Sequence, residues 1–241
     1  MKTLLYSVLL ALVLSCKGIE PDTVAPEYQD WYTLRAPVDA EIQGVWGSWE
    51  KTLLIATRTN VFRSTDQGKN WQEVLPFQSH GMFSVVKQQD TLFTMTGLAN
   101  GQFLTNASNY SVDDGKTWKA YTRHNPAFEI SSSSGQAINK FSISPVVNSS
   151  GVSYKINQVF LNGPTATTGI FETPGIVTSA GRRIDLPQLH QLRSLYLDSQ
   201  QRLYISATDA VCGRGHSGEG FSFCNSKNGR GVVYISKTSL L

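Results

Sequence analysis

The chain has 241 residues, of which 16% are charged and 10% aromatic, and its formal net charge at pH 7 is +3. It shows no basic run and no interleaving of basic with aromatic residues, so nucleic acid is not an expected partner. The length suffices for one domain with a sizeable core. The low charge, the 20 glycines and the many Ser, Thr and Asn residues are typical of an exported all-β domain with short strands.

The N-terminal residues predict export and lipid attachment. Met1-Lys2 precedes an apolar run over 4–14, which has the length of a secretory signal and is too short to span a bilayer. The run ends in Val-Leu-Ser-Cys16, which resembles a bacterial lipobox. The resemblance implies a signal peptide over 1–15, acylation of Cys16, a tether over 16–29 and anchoring to the outer membrane, on its periplasmic or cell-surface side. The alternative is ordinary signal cleavage, with Cys16 incidental.

Two octapeptides come next, STDQGKNW over 64–71 and SVDDGKTW over 111–118. Both read S-x-D-x-G-x-[TN]-W, which resembles the Asp-box of bacterial neuraminidase repeats, found in sialidase-like propellers and in related photosystem assembly factors. The resemblance implies a β-propeller over 30–241 with the boxes as structural turns between the strands of a blade. The structural box residues are Ser64, Asp66, Gly68, Trp71, Ser111, Asp113, Gly115 and Trp118.

The residue types in each box suit a tight turn between antiparallel strands. Gly68 and Gly115 tolerate the positive φ that such a turn needs. The aspartates can accept hydrogen bonds from backbone N–H groups of their own turn, and the serines can do the same more weakly. Trp71 and Trp118 then open the next strand, where each ring can bury apolar surface worth roughly 2–3 kcal/mol.

From residue 30 onward, short β-rich runs recur without a sustained helical period, and they group into about four units. The predicted strands are 42–48, 52–58, 61–64 and 71–76; 82–87, 91–96, 109–112 and 118–123; 140–147, 153–161, 169–173 and 182–186; and 193–197, 202–207 and 232–236. The fourth unit lacks an outer strand, and residues 30–34 resemble the strand that follows a box. We therefore predict an all-β propeller of about four blades, closed by pairing of the N- and C-terminal strands. A fifth blade is possible if 123–191 contains another strand pair.

The blade scheme divides the connections between two faces of the propeller. The box face carries the turns between third and fourth strands and is expected to be plain. The long-loop face carries the connections between second and third strands, with the longest predicted over 97–108 and 208–231, and the segment 124–136 between blades. Long loops on a rigid scaffold are a common place for a binding site.

The loop over 208–231 supplies the candidate ligand-binding residues, which are Arg214, His216, Phe221 and Phe223. They offer charge, hydrogen bonding and stacking surface suited to a sugar or a peptide; the alternative is a solvated insertion. If Cys16 carries lipid, Cys212 and Cys224 remain, and in an oxidising compartment we expect them to form a disulfide. A metal site with His216 is the alternative, although no CxxC spacing is present. The other histidines are scattered, so we expect no metal site and no cofactor.

These features favour non-catalytic binding of a glycan or a protein. A sialidase-like or other glycoside hydrolase is the first alternative. The Arg-Ile-Pro motif of sialidases is missing from the sequence, however, and no carboxylate pair can be placed, so no catalytic residue is assigned. An assembly or scaffolding role in a membrane complex, like that of the photosystem assembly factors, is the second alternative.

Overall fold

The computed structural model describes residues 28–123, 125–129, 141–214 and 220–240. Within these ranges the chain forms sixteen β-strands and one 3₁₀ turn (Pro126–Phe128), and it contains no helix that could cross a bilayer. The signal peptide, Cys16, His216 and all but the end of the tether lie outside these ranges, so the predictions about them stay predictions. In chain order the strands are β1 (Trp31–Arg35), β2 (Gly44–Gly47), β3 (Leu53–Ala56), β4 (Val61–Ser64), β5 (Gln72–Leu75), β6 (Ser84–Gln88), β7 (Thr91–Ala99), β8 (Phe103–Ser111), β9 (Lys119–Ala120), β10 (Val146–Val147), β11 (Ser153–Phe160), β12 (Phe171–Thr178), β13 (Arg183–Leu197), β14 (Leu203–Gly213), β15 (Ser222–Phe223) and β16 (Val232–Ser236).

The first two blades are separate four-stranded antiparallel sheets. Blade one has the order β2-β3-β4-β5 and blade two the order β6-β7-β8-β9. Each is a simple meander, in which every strand pairs with its neighbours in the sequence. The octapeptides 64–71 and 111–118 join the third and fourth strands of these blades, as predicted, and we call them the box turns.

The third and fourth blades are joined through one long strand. The first half of β13 pairs with β12 and completes β10-β11-β12-β13, whereas its second half pairs with β14 and begins β13-β14-β16-β1. We predicted separate strands over 182–186 and 193–197. The difference arises at His190, whose backbone pairs with Thr173 on one side and Ala210 on the other, so that the ladder continues from one blade to the next.

The chain termini close the ring. Strand β1 pairs antiparallel with β16, from Trp31 opposite Ser236 to Arg35 opposite Val232. This pairing confirms the predicted closure and covers the edge that β16 would otherwise expose. Four blades thus account for the strand order.

The core lies between the blades. One buried cluster joins Leu34 and Ile235 of blade four to Ile55 of blade one, and a second joins Leu54 of blade one to Met82 of blade two. Two further clusters fill the space on either side of blade three. Each blade is therefore held by the apolar faces of its neighbours, at roughly 1.5–3 kcal/mol for each large side chain that is buried.

The predicted loop over 97–108 is largely strand, and the loop over 208–231 begins as strand. In blade two, β7 and β8 extend the sheet and leave a short turn at 100–102, where Asn100 and Gly101 have positive φ. In blade four, β14 continues to Gly213 and pairs with β15, with Val211 opposite Phe223. In these extensions, Thr, Asn, Gly and Ser interrupt short apolar stretches such as Phe103-Leu104, so a prediction from continuous apolar runs ended the strands too early.

Candidate functional site

The box turns hydrogen-bond to themselves. In the first, the Ser64 hydroxyl donates to Asp66 Oδ1 at 2.8 Å and accepts from the N–H of Gly68 at 2.9 Å. The N–H of Asn70 donates to Asp66 Oδ1 at 2.9 Å. The second turn repeats all three bonds to within about 0.1 Å, around Asp113.

These hydrogen bonds keep both box carboxylates ionised. Bonds from Asn70 and then from Ser64 lower the pKa of Asp66 to about 2. Bonds from Thr117 and then from Ser111 lower the pKa of Asp113 still further below its ordinary value. A carboxyl with so low a pKa is a poor general acid near neutral pH.

Each box turn also contacts the preceding blade. Gly68 and Gly115 have φ near +78° and +76°, and a Cβ at either position would lie within 3 Å of a leucine methyl. The leucine is Leu34 of blade four for the first turn and Leu54 of blade one for the second. The box turns therefore couple neighbouring blades, and the second turn adds bonds from Thr52 and Arg63 of blade one to Asp114.

A cavity of about 820 Å³ lies at the centre of the ring, and we call it the axial funnel. The innermost strand of every blade contributes to it, namely β2, β6, β10 and the second half of β13. The lining residues are 45–48, 51–52, 84–87, 104, 114, 141–142, 145–147, 195–197 and 199.

The funnel opens on the box face. Its rim includes Lys51 and Thr52 of the β2–β3 turn and Asp114 of the second box turn. At the opposite end, the extended β7–β8 hairpin reaches the segment before β10, where the N–H of Leu104 donates to the carbonyl of Phe141 at 2.8 Å. The adjacent Ile143 carbonyl accepts from the N–H of Leu195 at 2.7 Å, which ties that end to blade four. The expectation that the box face is plain was wrong, because the cavity lining includes residues of the β2–β3 turn and of the second box turn.

Strand edges, rather than one side-chain face, line the funnel. Each innermost strand pairs with one neighbour in its blade, so its second edge faces the axis. In an antiparallel ladder, alternate residues direct both backbone groups away from the partner strand. The register of the first hairpin in each blade shows which residues with backbone groups directed toward the axis lie nearest the rim. They are Gly47, Lys87, Val147 and Leu197, and we call them the axial ring.

The axial ring places one residue from each blade at the funnel mouth. The hairpin bonds that fix the register follow directly after the ring residue, from Ser48 to Thr52 in blade one and from Asn148 to Val152 in blade three. Burial raises the pKa of Tyr196 to about 12. The Gly47 N–H donates to the phenol oxygen of Tyr196, and this bond lowers the pKa by a smaller amount. The remaining ring groups are oriented toward the cavity.

The charge at the funnel mouth is positive. Lys51 is exposed, and the Lys87 ammonium is half-exposed at 4.0 Å from Asp90. Asp114 is the one carboxylate among the described lining residues, and its charge is offset by Arg63, whose Nη2 lies 3.3 Å from Oδ2. The described lining residues carry two lysines and one aspartate, so their formal charges sum to +1 where a ligand would enter.

Three of the residues predicted on the long-loop face lie on the β14–β15 hairpin, where Gly213, next to Arg214, pairs with Ser222, which lies between Phe221 and Phe223. Arg214 has a side chain that is 67% exposed, and its Nε lies 2.7 Å from Glu172 Oε1 without hydrogen-bond geometry. The ring of Phe223 packs beside Gly229, and Phe221 is half-buried. Neither the axial funnel nor the small cavity at His190 is lined by these residues.

The long loop of blade four is held at its base. The predicted disulfide between Cys212 and Cys224 is present, with Cα atoms 5.0 Å apart. Asp209 accepts hydrogen bonds from the N–H of Asn225 at 2.8 Å and from the Ser226 hydroxyl at 3.0 Å. Burial raises the pKa of Asp209, but these bonds outweigh it and the net shift is downward.

A buried histidine lies beneath the long-loop face and was not singled out from the sequence. His190 is 2% exposed, with Nδ1 2.9 Å from the Thr208 carbonyl and Nε2 2.8 Å from the Tyr234 hydroxyl. Burial lowers the pKa of His190, so the ring is neutral and accepts from Tyr234. The adjacent cavity of about 20 Å³ has room for about one water molecule. Across the described ranges, no group of three or more His, Cys, Asp or Glu could hold a metal ion.

No protein-family model matches the chain, and no curated protein does. Among solved structures, YCF48 bound to a D1 peptide is 11% identical, with 88% of this chain and 96% of that one covered at a TM-score of 0.42. YCF48 from Cyanidioschyzon merolae is 13% identical, with 83% and 77% covered at a TM-score of 0.33. The extracellular domain of a two-component system protein from B. thetaiotaomicron is 11% identical, with 89% of this chain and 40% of that one covered at a TM-score of 0.35. Similarities this low support no conclusion about chemistry, and the fold is assigned from the strand pairings.

Proposed function

We propose that this chain is an exported, lipid-anchored propeller that binds a ligand without catalysing a reaction, and that the ligand, a glycan or a protein segment, enters the axial funnel. The observation that carries the proposal is the cavity of about 820 Å³ lined by innermost strands of all four blades. Its volume falls within the range of about 300–1,000 Å³ that is usual for ligand pockets.

The carboxylates of the funnel favour binding over glycoside hydrolysis. Hydrolysis of a glycosidic bond generally needs two carboxyl groups about 5–10 Å apart. The described lining supplies Asp114, which is paired with Arg63. The long-loop residues Arg214, His216, Phe221 and Phe223 remain the competing location for a binding site, supported by the exposure of the Arg214 side chain.

Two valines on the box face give a matched test of the site. Val147 lines the funnel and is 60% exposed, whereas Val112 is 71% exposed in the second box turn and does not line it. Glycan and peptide arrays probed with the full chain in detergent would identify ligands. We expect Val147→Trp to abolish their binding and Val112→Trp to leave it unchanged, because a large side chain at position 147 fills the mouth.

Other results would contradict the proposal. If both tryptophan variants bind equally well and the combined replacement of the four long-loop residues by alanine abolishes binding, the site is on the long-loop face. Turnover of fluorogenic sialosides or other glycosides by the wild-type chain would overturn the non-catalytic assignment.

The anchoring proposal rests on the lipobox-like residues that end in Cys16. We expect Cys16→Ser to move the chain from the membrane fraction to the soluble fraction of expressing cells. Unchanged membrane association of this variant would contradict acylation at Cys16.

A further inference from the structure

We infer that the ligand of the axial funnel is an extended, acidic polypeptide segment whose main chain hydrogen-bonds to the axial ring. This inference rests on the proposed function, because it specifies the ligand of the same site. Its basis is the set of groups that the described lining offers: strand edges from all four blades, lysines at the mouth and aromatic side chains that pack into the interblade core.

The strand edges favour a polypeptide ligand. The axial ring contributes backbone groups from four strands, and the residues two positions deeper, Val45, Val85 and Leu195, continue the same edges into the cavity. Some of these groups already have partners: the Leu195 N–H donates to the Ile143 carbonyl, the Gly47 N–H donates to Tyr196, and the Val85 carbonyl accepts from the Ser84 hydroxyl at 3.4 Å. The edges of blades one and two offer a ligand the Gly47 carbonyl, the backbone groups of Lys87 and the Val85 N–H. An extended chain can pair with a free edge through alternating N–H and C=O groups, as in recognition by strand addition.

The aromatic residues of the lining do not favour a sugar. Trp46, Phe141 and Tyr196 line the funnel, but each is half-buried and packs against a cluster of the interblade core. A sugar ring generally stacks on an exposed aromatic face, and these side chains are engaged in holding blades together. The funnel is therefore better suited to main-chain hydrogen bonding than to stacking.

The charge at the mouth specifies acidic side chains on the segment. Lys51 and Lys87 both line the funnel, with Lys87 4.0 Å from Asp90 and the neighbouring Asp114 paired with Arg63. The described lining residues therefore carry a net formal charge of +1. Side chains of an extended segment alternate in direction, so glutamates at every second position would reach the rim while the main chain follows an edge. The size of the cavity admits such a segment and excludes a folded domain.

The test uses a fluorescein-labelled, capped peptide of alternating glutamate and serine, with fluorescence anisotropy and the full chain in detergent. Three comparators change one property each: the same peptide with N-methylated backbone amides, a peptide with lysine in place of glutamate, and oligogalacturonate as an anionic sugar chain. We expect the acidic peptide to bind, N-methylation to weaken it by about 10-fold or more, and the lysine peptide and oligogalacturonate not to bind.

Lysine variants of the protein complete the test. We expect the pair Lys51→Ala and Lys87→Ala to weaken peptide binding by about 10-fold at low salt, with a smaller difference at high salt. The pair Lys69→Ala and Lys116→Ala is the matched control, because both lysines are exposed in the box turns and neither lines the funnel. Equal losses from the two pairs would contradict recognition by charge at the mouth.

The failure of this inference can be told apart from the failure of the proposed function. If the acidic peptide does not bind, or binds equally well when N-methylated, the inference is overturned. If oligogalacturonate binds instead and Val147→Trp blocks it, the ligand class is wrong while the funnel remains the site. If Val147→Trp blocks none of the ligands that the wild-type chain binds, the funnel itself is wrong.

Discussion

The two faces of this propeller are stabilised by different means. On the box face, the serine and aspartate of the box pattern bond within their own octapeptide in each turn, and each turn packs a glycine against the preceding blade. On the long-loop face, the base of the blade-four loop is held by the Cys212–Cys224 disulfide and by two carboxylates, Asp209 and Asp39, the latter from before blade one. Residues of the compact turns line the axial funnel, whereas Arg214, Phe221 and Phe223 of the long loop do not. In this chain loop length is therefore a poor guide to the position of the cavity.

The largest expected effect on stability concerns the long-loop face. Replacing Cys212 and Cys224 by serine removes a cross-link between residues 12 positions apart. We expect the free energy of unfolding to fall by roughly 3 kcal/mol, because the unfolded chain is no longer restricted. Urea denaturation would measure this, and binding in the funnel would be unchanged below the transition. Loss of binding in the folded variant would show that the two faces are coupled.

Substitutions at two glycines test the contact between a box turn and its neighbouring blade. Gly115 and Gly151 both have positive φ, but a Cβ at 115 would lie 2.7 Å from a methyl of buried Leu54, whereas a Cβ at 151 meets open space. We expect Gly151→Ala to cost about 1 kcal/mol from backbone strain, and Gly115→Ala about 2 kcal/mol or more from strain and overpacking. Equal urea midpoints for the two variants would show that the box turn does not couple the blades.

The pH dependence of stability distinguishes the two faces, because the buried histidine beneath the long-loop face and the box aspartates titrate in different pH ranges. His190 has a lowered pKa, so it contributes stability that is present above its ordinary value of 6.5 and is lost as the pH falls toward its folded value. Asp66 and Asp113 also have lowered values, so their contribution is present above the ordinary 3.8 and is lost as the pH falls toward 2. We expect two successive decreases in the urea midpoint on acidification.

Substitutions at these residues test which face causes each decrease in the urea midpoint. His190→Gln would remove the change that begins near pH 6.5, whereas Asp66→Asn with Asp113→Asn would reduce only the change below about pH 4. Asp209, which lies near His190 and also has a lowered pKa, adds to the acid range from the long-loop face. A first decrease that persists in His190→Gln would contradict its assignment to the buried histidine.

The sequence was sufficient to predict the architecture because its signals are local. The box octapeptides marked two blades, and the resemblance of residues 30–34 to the strand after a box predicted the closure that β1 and β16 make. The cysteine pair predicted the disulfide. Each of these rests on a few neighbouring residues whose chemistry requires one local geometry.

The axial funnel could not be predicted in the same way. Its lining comes from four distant segments, and the groups that face the axis at Gly47, Lys87, Val147 and Leu197 are backbone atoms, which every sequence contains. Which residues direct those atoms inward depends on hairpin register, and a shift of one residue would exchange them. Gly97, Thr105 and Asn106 interrupt the extensions of β7 and β8, so this hairpin was predicted as a loop.

Amide hydrogen exchange with and without an array-identified ligand tests the funnel most directly, since it locates the bound ligand without any substitution. If the funnel is the site, protection on binding will concentrate in the innermost strands, over 45–47, 85–87, 146–147 and 195–197, and 208–214 and 220–231 will exchange as in the free chain. Protection confined to the long-loop residues, with unchanged exchange in the innermost strands, would contradict the assignment of the axial funnel as the binding site.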